Sequence, residues 1–188
     1  EQITMAGDIL DVFSTEYYSA SEYWVVSDYY INYSNATGEV EAIHTDVWVD
    51  PVNGMDEGNF YGTESNPFLT INYALGVIYP TEYNPITIHL AEGTFAPSTT
   101  GEDFPIIMIS NVNLIGQGEA VTIIDAQQSG RVITMDNCDN NTISDLTLTG
   151  GLAGGDYPDD RGGGMYLNSS NPTLTHVTIS NNTAEYGG

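Results

Sequence analysis

Basic residues are scarce in this chain, and their scarcity limits the catalysis that it could perform. The sequence has 26 acidic residues but only two basic ones, Arg131 and Arg161, and no Lys. A lyase that acts on an acidic polysaccharide abstracts a proton next to a uronate carboxylate, with Lys or Arg as the base and calcium to neutralise the acid. Arg161 follows Asp156-Tyr-Pro-Asp-Asp160, where a basic residue meets an acidic cluster. These residues could instead have a structural role, in which an ion pair of Arg161 with Asp159 or Asp160 orders the loop. We favour that interpretation.

The other groups that could do chemistry are either too numerous or too isolated to form a recognisable site. A glycoside hydrolase needs two carboxylates about 5 to 10 Å apart, and no pair among the 26 stands out by motif. His44, His89 and His176 are scattered singly, which argues against zinc. Cys138 has no neighbouring His or basic residue to lower its pKa, so we expect a small buried or turn residue. The sequence therefore predicts no catalytic residues.

Two loops rich in oxygen ligands are candidates for structural calcium. One loop contains Asp50 and Asp56, and the other contains Asp156, Asp159 and Asp160. Calcium prefers carboxylate and carbonyl oxygens, but neither loop has the EF-hand spacing, and solvated turn carboxylates are the commoner explanation. We expect no required cofactor, with structural calcium as the hypothesis to test.

The overall charge excludes several classes of partner. The net charge of −24 argues against binding to nucleic acid or to anionic membranes, because both need clustered Lys and Arg. No apolar run reaches the roughly 20 residues that span a bilayer, so no membrane insertion is expected. The chain begins at Glu1 without Met or a recognisable signal peptide. This start fits a mature secreted protein whose leader was removed, and it equally fits a piece of a longer protein.

The elements that would position these residues are set by an internal repeat. Residues 140–149 align with residues 171–180 without a gap, and their apolar positions coincide at a separation of 31 residues. The coinciding pairs are Ile143 with Leu174, Leu146 with Val177, and Leu148 with Ile179. Within each copy the apolar residues alternate with Thr and Ser, and turn residues follow. A period of this size predicts a solenoid of short strands.

Short alternating segments continue this pattern towards the start of the chain. They are residues 86–90, 107–109, 112–114 and 132–135. One segment has helical spacing instead: Phe68, Ile71, Leu75 and Ile78 follow Asn66-Pro67, which we interpret as an N-cap and a first helical proline. We predict a capping helix near 67–79 that covers the open end of the solenoid core. Asn111, Asn137, Asn140 and Asn171 recur near strand ends, either as stacked ladders or simply as turn formers.

Residues 1–46 differ in composition and are predicted to form a separate aromatic-rich strand or hairpin segment that acts as a cap or an assembly arm. Its strand formers lie in residues 22–33. Aromatic side chains there could form a sugar-binding platform, but half-buried cover for a core is the interpretation that we favour. Residues 47–188 form the second predicted domain, the solenoid with its capping helix.

The second domain contains a series of motifs between residues 47 and 126. They are Val49-Asp-Pro-Val-Asn-Gly-Met-Asp56, Gly62-Thr-Glu-Ser-Asn-Pro-Phe-Leu-Thr-Ile71, Ile86-Thr-Ile-His-Leu-Ala-Glu-Gly-Thr-Phe95, Gly101-Glu-Asp-Phe-Pro-Ile106, Val112-Asn-Leu-Ile-Gly-Gln-Gly118 and Thr122-Ile-Ile-Asp-Ala126. These motifs resemble an uncharacterised family found at the start of right-handed parallel β-helices in secreted bacterial proteins. Two later motifs, Gly162-Gly-Gly-Met-Tyr166 and Ile179-Ser-Asn-Asn-Thr-Ala-Glu-Tyr-Gly-Gly188, are similar to the repeats of polymorphic outer-membrane proteins. The resemblance implies an all-β right-handed parallel β-helix, and it is far less specific for activity.

The functional hypothesis rests on the difference between the two ends of the predicted solenoid. A helix can cover the first end, whereas the last repeat stops at Gly187-Gly188. We expect a non-catalytic extracellular or cell-surface structural protein whose last repeat pairs with copies of itself, as a filament or appendage, or with the rest of a larger surface protein. The predicted assembly edge is Thr178, Ile179, Asn181, Asn182, Tyr186, Gly187 and Gly188. The predicted partner arm, which would add strands to a neighbour, is Tyr23, Trp24, Val26, Tyr29, Tyr30 and Ile31.

Two other functions stay open on the sequence alone. The chain could be a polysaccharide-active lyase or hydrolase, or a fragment of one, in which case Arg161 or an acidic loop residue would be needed for turnover. It could also be a glycan-binding adhesin module that works through its tyrosines. In both cases the partner would be a polysaccharide.

Overall fold

The chain divides into two compact units, Glu1–Ile43 and His44–Gly188. The residues described by the computed structural model are 3–4, 37–38, 42–57 and 62–187. In the first unit, β1 (Ile3–Thr4) pairs antiparallel with β2 (Thr37–Gly38). The predicted aromatic strands and the partner arm lie outside the described residues.

The second unit is built from short strands that recur along the chain. They are β3 (Val47–Val49), β4 (Ile86–Leu90), β5 (Gly93–Phe95), β6 (Ile106–Ile107), β7 (Val112–Ile115), β8 (Thr122–Asp125), β9 (Ile133–Asp136), β10 (Thr142–Thr149), β11 (Leu152–Ala153), β12 (Met165–Asn168), β13 (Thr173–Ser180) and β14 (Thr183–Ala184). All pairings between these strands are parallel. With a single short helix among the described residues, this is the arrangement of an all-β parallel solenoid.

The strands stack in rows, because each pairs with its counterpart one coil away. One row runs β3-β4-β7-β10 and continues to β13, a second runs β5-β8-β10, and a third runs β6-β9-β12. The pairing of β10 with β13 aligns Ile143 with Leu174 and Leu148 with Ile179. The repeat register predicted from the sequence is therefore confirmed.

The core follows from the alternation of side chains along each strand. In β4, Ile86, Ile88 and Leu90 are fully buried, while the intervening residues are partly exposed. Val112 and Leu114 continue the same inward row in β7. A strand sends successive side chains to opposite faces, so one face of each coil fills the solenoid interior. Burying each of these side chains contributes about 1.5–3 kcal/mol.

Residues with positive φ form the corners between strands. Asn111 and Asn140 have φ angles of 64° and 57°, and Asn140 Nδ2 donates to Asn111 Oδ1 at 3.0 Å. These two asparagines are thus both turn formers and rungs of a ladder. Asp145 and His176 take positive φ within β10 and β13, and His176 Nδ1 lies 3.1 Å from Asp145 Oδ1. The corner at Asp145 lets β10 pair first with β7 and then with β8.

The single helix, α1 (Ile71–Val77), is shorter than predicted. Its N-cap is Thr70, whose side chain accepts a hydrogen bond from Tyr73 N, so the predicted start at Asn66-Pro67 is wrong. The physical reason is competition from a strand: Phe68 N donates to Trp48 O at 2.9 Å, and Asp50 N donates to Phe68 O at 2.8 Å. These bonds hold residue 68 in an extended conformation beside β3.

Candidate functional site

The last coil differs from the others in that two of its inward-facing side chains are exposed. Leu174 and Ile179 of β13 are 42% and 43% exposed, whereas Ile143 and Leu148, their partners in β10, are 0% exposed. One edge of β13 pairs with β10, and no described strand pairs with its other edge. An apolar row beside a free strand edge favours pairing with another chain segment. We therefore treat this coil as the candidate functional site.

The opposite end of the solenoid is closed within the same unit. The outer edge of β3 is occupied by the segment around Phe68, and Trp48 N also donates to Gly62 O at 2.8 Å. Phe68, Ile71, Ala74 and Ile78 are buried over the core. The two ends therefore differ both in free backbone groups and in apolar exposure.

The residues predicted to form the assembly edge have mixed environments. Thr178 Oγ1 donates to Glu119 Oε1 at 2.6 Å. Asn182 Oδ1 accepts a hydrogen bond from Gly151 N of the preceding coil at 2.7 Å. Tyr186 is 56% exposed, and its carbonyl accepts from Gly162 N at 3.1 Å. Gly187 O accepts from Gly163 N at 3.2 Å. Ile179 is thus the exposed aliphatic member of this set. Asn181 is a corner with φ of 56°, and Gly188 lies outside the described residues.

The last coil is also free of formal charge. Residues 162–184 contain no Asp, Glu, Lys or Arg, although the chain as a whole has 26 acidic residues. An acidic edge would repel a second acidic surface. The chemistry of this coil therefore suits burial against another uncharged β layer.

Two buried or partly buried carboxylates hold the helix at the closed end. Glu102, which is 1% exposed, accepts hydrogen bonds from Ile71 N at 2.7 Å and from Asn72 N at 3.0 Å. Asp56 accepts from Leu69 N at 2.8 Å and from Thr70 Oγ1 at 2.7 Å. Burial raises the pKa of Glu102 to about 7, against the lowering effect of the hydrogen bonds from Asn72 and Ile71. Sequence reasoning missed Glu102, because its role depends on a contact 31 residues away.

Asp50, one of the carboxylates proposed as calcium ligands, is engaged with the protein itself. Asp50 accepts from Val52 N and Asn53 N at 2.8 and 3.0 Å. Burial raises the pKa of Asp50, but the hydrogen bonds from Asn53 and Val52 outweigh it and hold the pKa below its ordinary value. Among the described residues, no three His, Cys, Asp or Glu side chains converge on a position for a metal ion. Calcium binding stays a prediction.

Both arginines contact the acidic loop at 156–160. Arg161 Nε lies 3.6 Å from Asp160 Oδ1, and Arg131 Nη2 lies 3.7 Å from Asp159 Oδ1. Arg161 also lies over the rings of Tyr157 and Tyr186. Asp156 contributes its carbonyl, which accepts from Asp159 N at 2.8 Å. The predicted pairing of Arg161 with Asp160 is confirmed, and the role of Arg131 was not foreseen.

The remaining candidate groups for catalysis each have packing contacts of their own. Cys138 is buried, its Sγ lies 3.1 Å from Met108 O, and burial raises its pKa. His89 stacks on Trp48 with ring centroids 4.7 Å apart, while His44 contacts Tyr79 edge to face. These contacts account for the three side chains as packing groups. Within the part of the chain that is described, no helix is long and apolar enough to cross a membrane.

Comparison with known proteins identifies the chain at the level of a family. A family described as protein of unknown function, DUF1565, matches residues 52–186, which is more than half of the chain. Neither the curated proteins nor the solved structures contain a match. The matched residues span the solenoid from the loop after β3 to the end of the last coil. The chain therefore belongs to the DUF1565 family.

Proposed function

We propose that this protein is a non-catalytic structural module of the cell surface or extracellular space, and that it joins a second copy end to end through the last coil. The exposure of Leu174 and Ile179 beside the free edge of β13 is the observation that carries this proposal. Burial of each side chain against a partner would contribute about 1.5 kcal/mol or more. Pairing of the free backbone edge would add hydrogen bonds and fix the register.

The contact joins the last coil of one copy to the last coil of the other. A filament grown head to tail needs a second free edge, and the outer edge of β3 is already occupied by residues around Phe68. A tail-to-tail contact, in which the last coils of two copies meet, uses the same surface on both copies, as two-fold interfaces do. The absence of formal charge from residues 162–184 favours this arrangement, because like charges do not face each other across it.

The solenoid is further inferred to coil in the right-handed sense. Connections between parallel strands of one sheet are right-handed in about 98% of cases, for reasons of strand twist. The resemblance to a family found at the start of secreted right-handed β-helices supports the same handedness. It also supports an extracellular location.

The oligomeric state in solution tests the proposal. Light scattering after size exclusion is expected to give twice the mass of the 20.3 kDa chain at high micromolar concentration. Ile179→Asp places a charge in the contact and is expected to give the monomer. Ile107→Asp is the matched control, because Ile107 is 58% exposed on β6, away from the last coil.

Three outcomes would contradict the proposal in different ways. A wild-type protein that stays monomeric at high micromolar concentration overturns self-association. A dimer that survives Ile179→Asp but not Ile107→Asp moves the contact to another face. Filaments seen by negative-stain imaging would retain end-to-end assembly and overturn the tail-to-tail arrangement.

A further inference from the structure

A cavity of about 280 Å³ lies on the outside of the solenoid and is shared by three successive coils. It is separate from the edge of β13, so binding of a ligand in this cavity does not depend on the proposed self-association. Its walls include Phe104, Pro105, Arg131, Leu152, Gly154 and Asp159. The volume is close to the lower end of the ~300–1,000 Å³ range of small-molecule sites. It suits a compact ligand of one ring rather than a long polymer segment.

Arg131 gives this cavity a cationic group in a strongly acidic protein. Its side chain is nine-tenths buried, its Nη2 donates to Pro158 O at 2.7 Å, and its guanidinium lies 4.7 Å from the centre of the Tyr166 ring. A guanidinium has five N–H donors in a planar fork. Within the described part of the chain, Pro158 O is the acceptor at hydrogen-bond distance, so donors remain for a ligand.

Asp159 is the group that a ligand would replace. Its Oδ1 lies 3.7 Å from Arg131 Nη2, which is longer than a hydrogen bond, and its side chain is 75% exposed. A loosely held, solvated carboxylate beside a buried guanidinium marks the position that a ligand carboxylate can take, with the bidentate geometry that arginine favours.

The rest of the cavity is suited to a ring with both apolar and polar faces. Phe104, Pro105 and Leu152 provide apolar surface. Gly154 leaves open space, because a Cβ built there meets no atom within 4 Å. A pyranose presents C–H groups on its faces and hydroxyl groups at its rim. We propose that this cavity binds a single acidic sugar residue of the uronic acid class, with its carboxylate on Arg131 and its ring against the apolar wall.

The overall charge does not prevent this binding. At physiological ionic strength the Debye length is about 8 Å, so most of the 26 acidic side chains are screened from the cavity. The local balance is set by Arg131 and Asp159, which lie beside the ligand position. Neutralising Asp159 should therefore tighten binding.

Nuclear magnetic resonance offers a direct test, because the chain has two arginines and so gives two Arg Nε–H signals. Galacturonate and glucuronate are titrated into ¹⁵N-labelled protein, beside galactose, glucose and acetate. We expect the Arg131 signal and the Gly154 amide to shift with the uronates, at a dissociation constant on the order of 1 mM for a ligand of this size. The Arg161 signal serves as the internal reference.

Variants separate the cavity from general charge effects. Gly154→Leu fills the open space without backbone strain and is expected to weaken uronate binding at least about tenfold. Asp159→Asn is expected to tighten it about threefold or more, and Asp156→Asn, in the same loop but without an ion pair in the described part of the structure, should leave it unchanged. The spectra of folded variants also report that the solenoid is intact.

Several results would overturn the proposal. Equal shifts with galactose or glucose remove the role of the carboxylate, and equal shifts with acetate remove the role of the ring. Unchanged binding in Gly154→Leu places the ligand elsewhere. Equal tightening by Asp156→Asn and Asp159→Asn reduces the effect to net charge. No shift with either uronate at tens of millimolar refutes the site.

Discussion

The first and the last described coils of the solenoid are made from the same kind of strand but are covered to different extents. At the first end, Phe68 and the helix α1 cover the core, and the edge of β3 is paired. At the last coil, β13 repeats the alternation of β10, yet its Leu174 and Ile179 side chains are exposed. Alternation along the chain is thus sufficient to form a coil, while closing an end takes an additional element with its own anchoring contacts.

Matched truncations in β10 and β13 should give the largest contrast between covered and uncovered coils. Leu148→Ala removes a fully buried side chain and is expected to lower the free energy of unfolding by about 3 kcal/mol. Ile179→Ala, at the paired position in β13, is expected to cost less than about 1 kcal/mol below the concentration at which the protein self-associates. Urea unfolding measures both. If both variants lost the same free energy of unfolding at high dilution, the last coil would be buried within one chain. That result would contradict the contrast between covered and uncovered coils.

Removal of the carboxylate that anchors the helix should have the next largest effect. Glu102→Ala leaves the N–H groups of Ile71 and Asn72 without their acceptor and is expected to destabilise the protein by about 2–3 kcal/mol. Glu82→Ala is the control, because Glu82 is exposed, and it should change stability by less than about 0.5 kcal/mol. Thermal unfolding compares the two variants. A similar small effect in both would show that the closed end does not depend on this anchor.

The pKa of the same carboxylate, Glu102 at the closed end, predicts that the stability of the protein depends on pH. The folded pKa of Glu102, about 7, lies above its ordinary value of 4.5, so the folded state binds the proton more tightly than the unfolded state. Its contribution is therefore fully present below pH 4.5 and is lost as the pH rises through 7, by up to about 3 kcal/mol. We expect this part of the slope to vanish in Glu102→Gln. Parallel stability curves for the wild type and Glu102→Gln between pH 4.5 and 8 would contradict the assignment.

The smallest expected difference concerns Asn140 and Asn171, which occupy equivalent positions in an inner coil and in the last coil. Asn140 combines φ of 57° with a hydrogen bond to Asn111, so Asn140→Ala is expected to cost about 1 kcal/mol. Asn140→Gly removes the hydrogen bond but tolerates the backbone, and it should cost less. Asn171→Ala, at the equivalent exposed position, should be neutral. Chemical denaturation resolves the ranking, and a neutral Asn140→Ala would contradict the ladder.

Local patterns in the sequence were sufficient for most of the solenoid. Residues 86–90 alternate cleanly and form β4, and the 31-residue spacing fixed the register of β10 with β13. The helix start was wrong because the spacing of Phe68 and Ile71 matches a helix, whereas backbone bonds to β3 hold Phe68 extended. Long-range pairing overrides a local signal of this length.

The candidate sites were less accessible to sequence reasoning than the fold. Leu174 and Ile179 could be placed in a strand, but their exposure depends on what covers the coil. Arg131 and Glu102 act through contacts with Pro158 and Ile71, at separations of 27 and 31 residues. In a solenoid, residues about one coil apart in sequence become neighbours in space. The repeat period found in the two aligned copies could therefore have indicated such pairs elsewhere in the chain.

The stacking of each coil on its neighbours also has a consequence for how the chain folds. The contacts between β10 and β13 join residues 31 positions apart, and no described strand pairs beyond an adjacent coil. Structure in such an array can spread from one nucleus by successive addition. We expect the closed end, anchored by Asp56 and Glu102, to act as this nucleus, with the coils then forming in order along the chain. Amide hydrogen exchange should accordingly slow from the last coil towards the helix, as a gradient rather than one cooperative step.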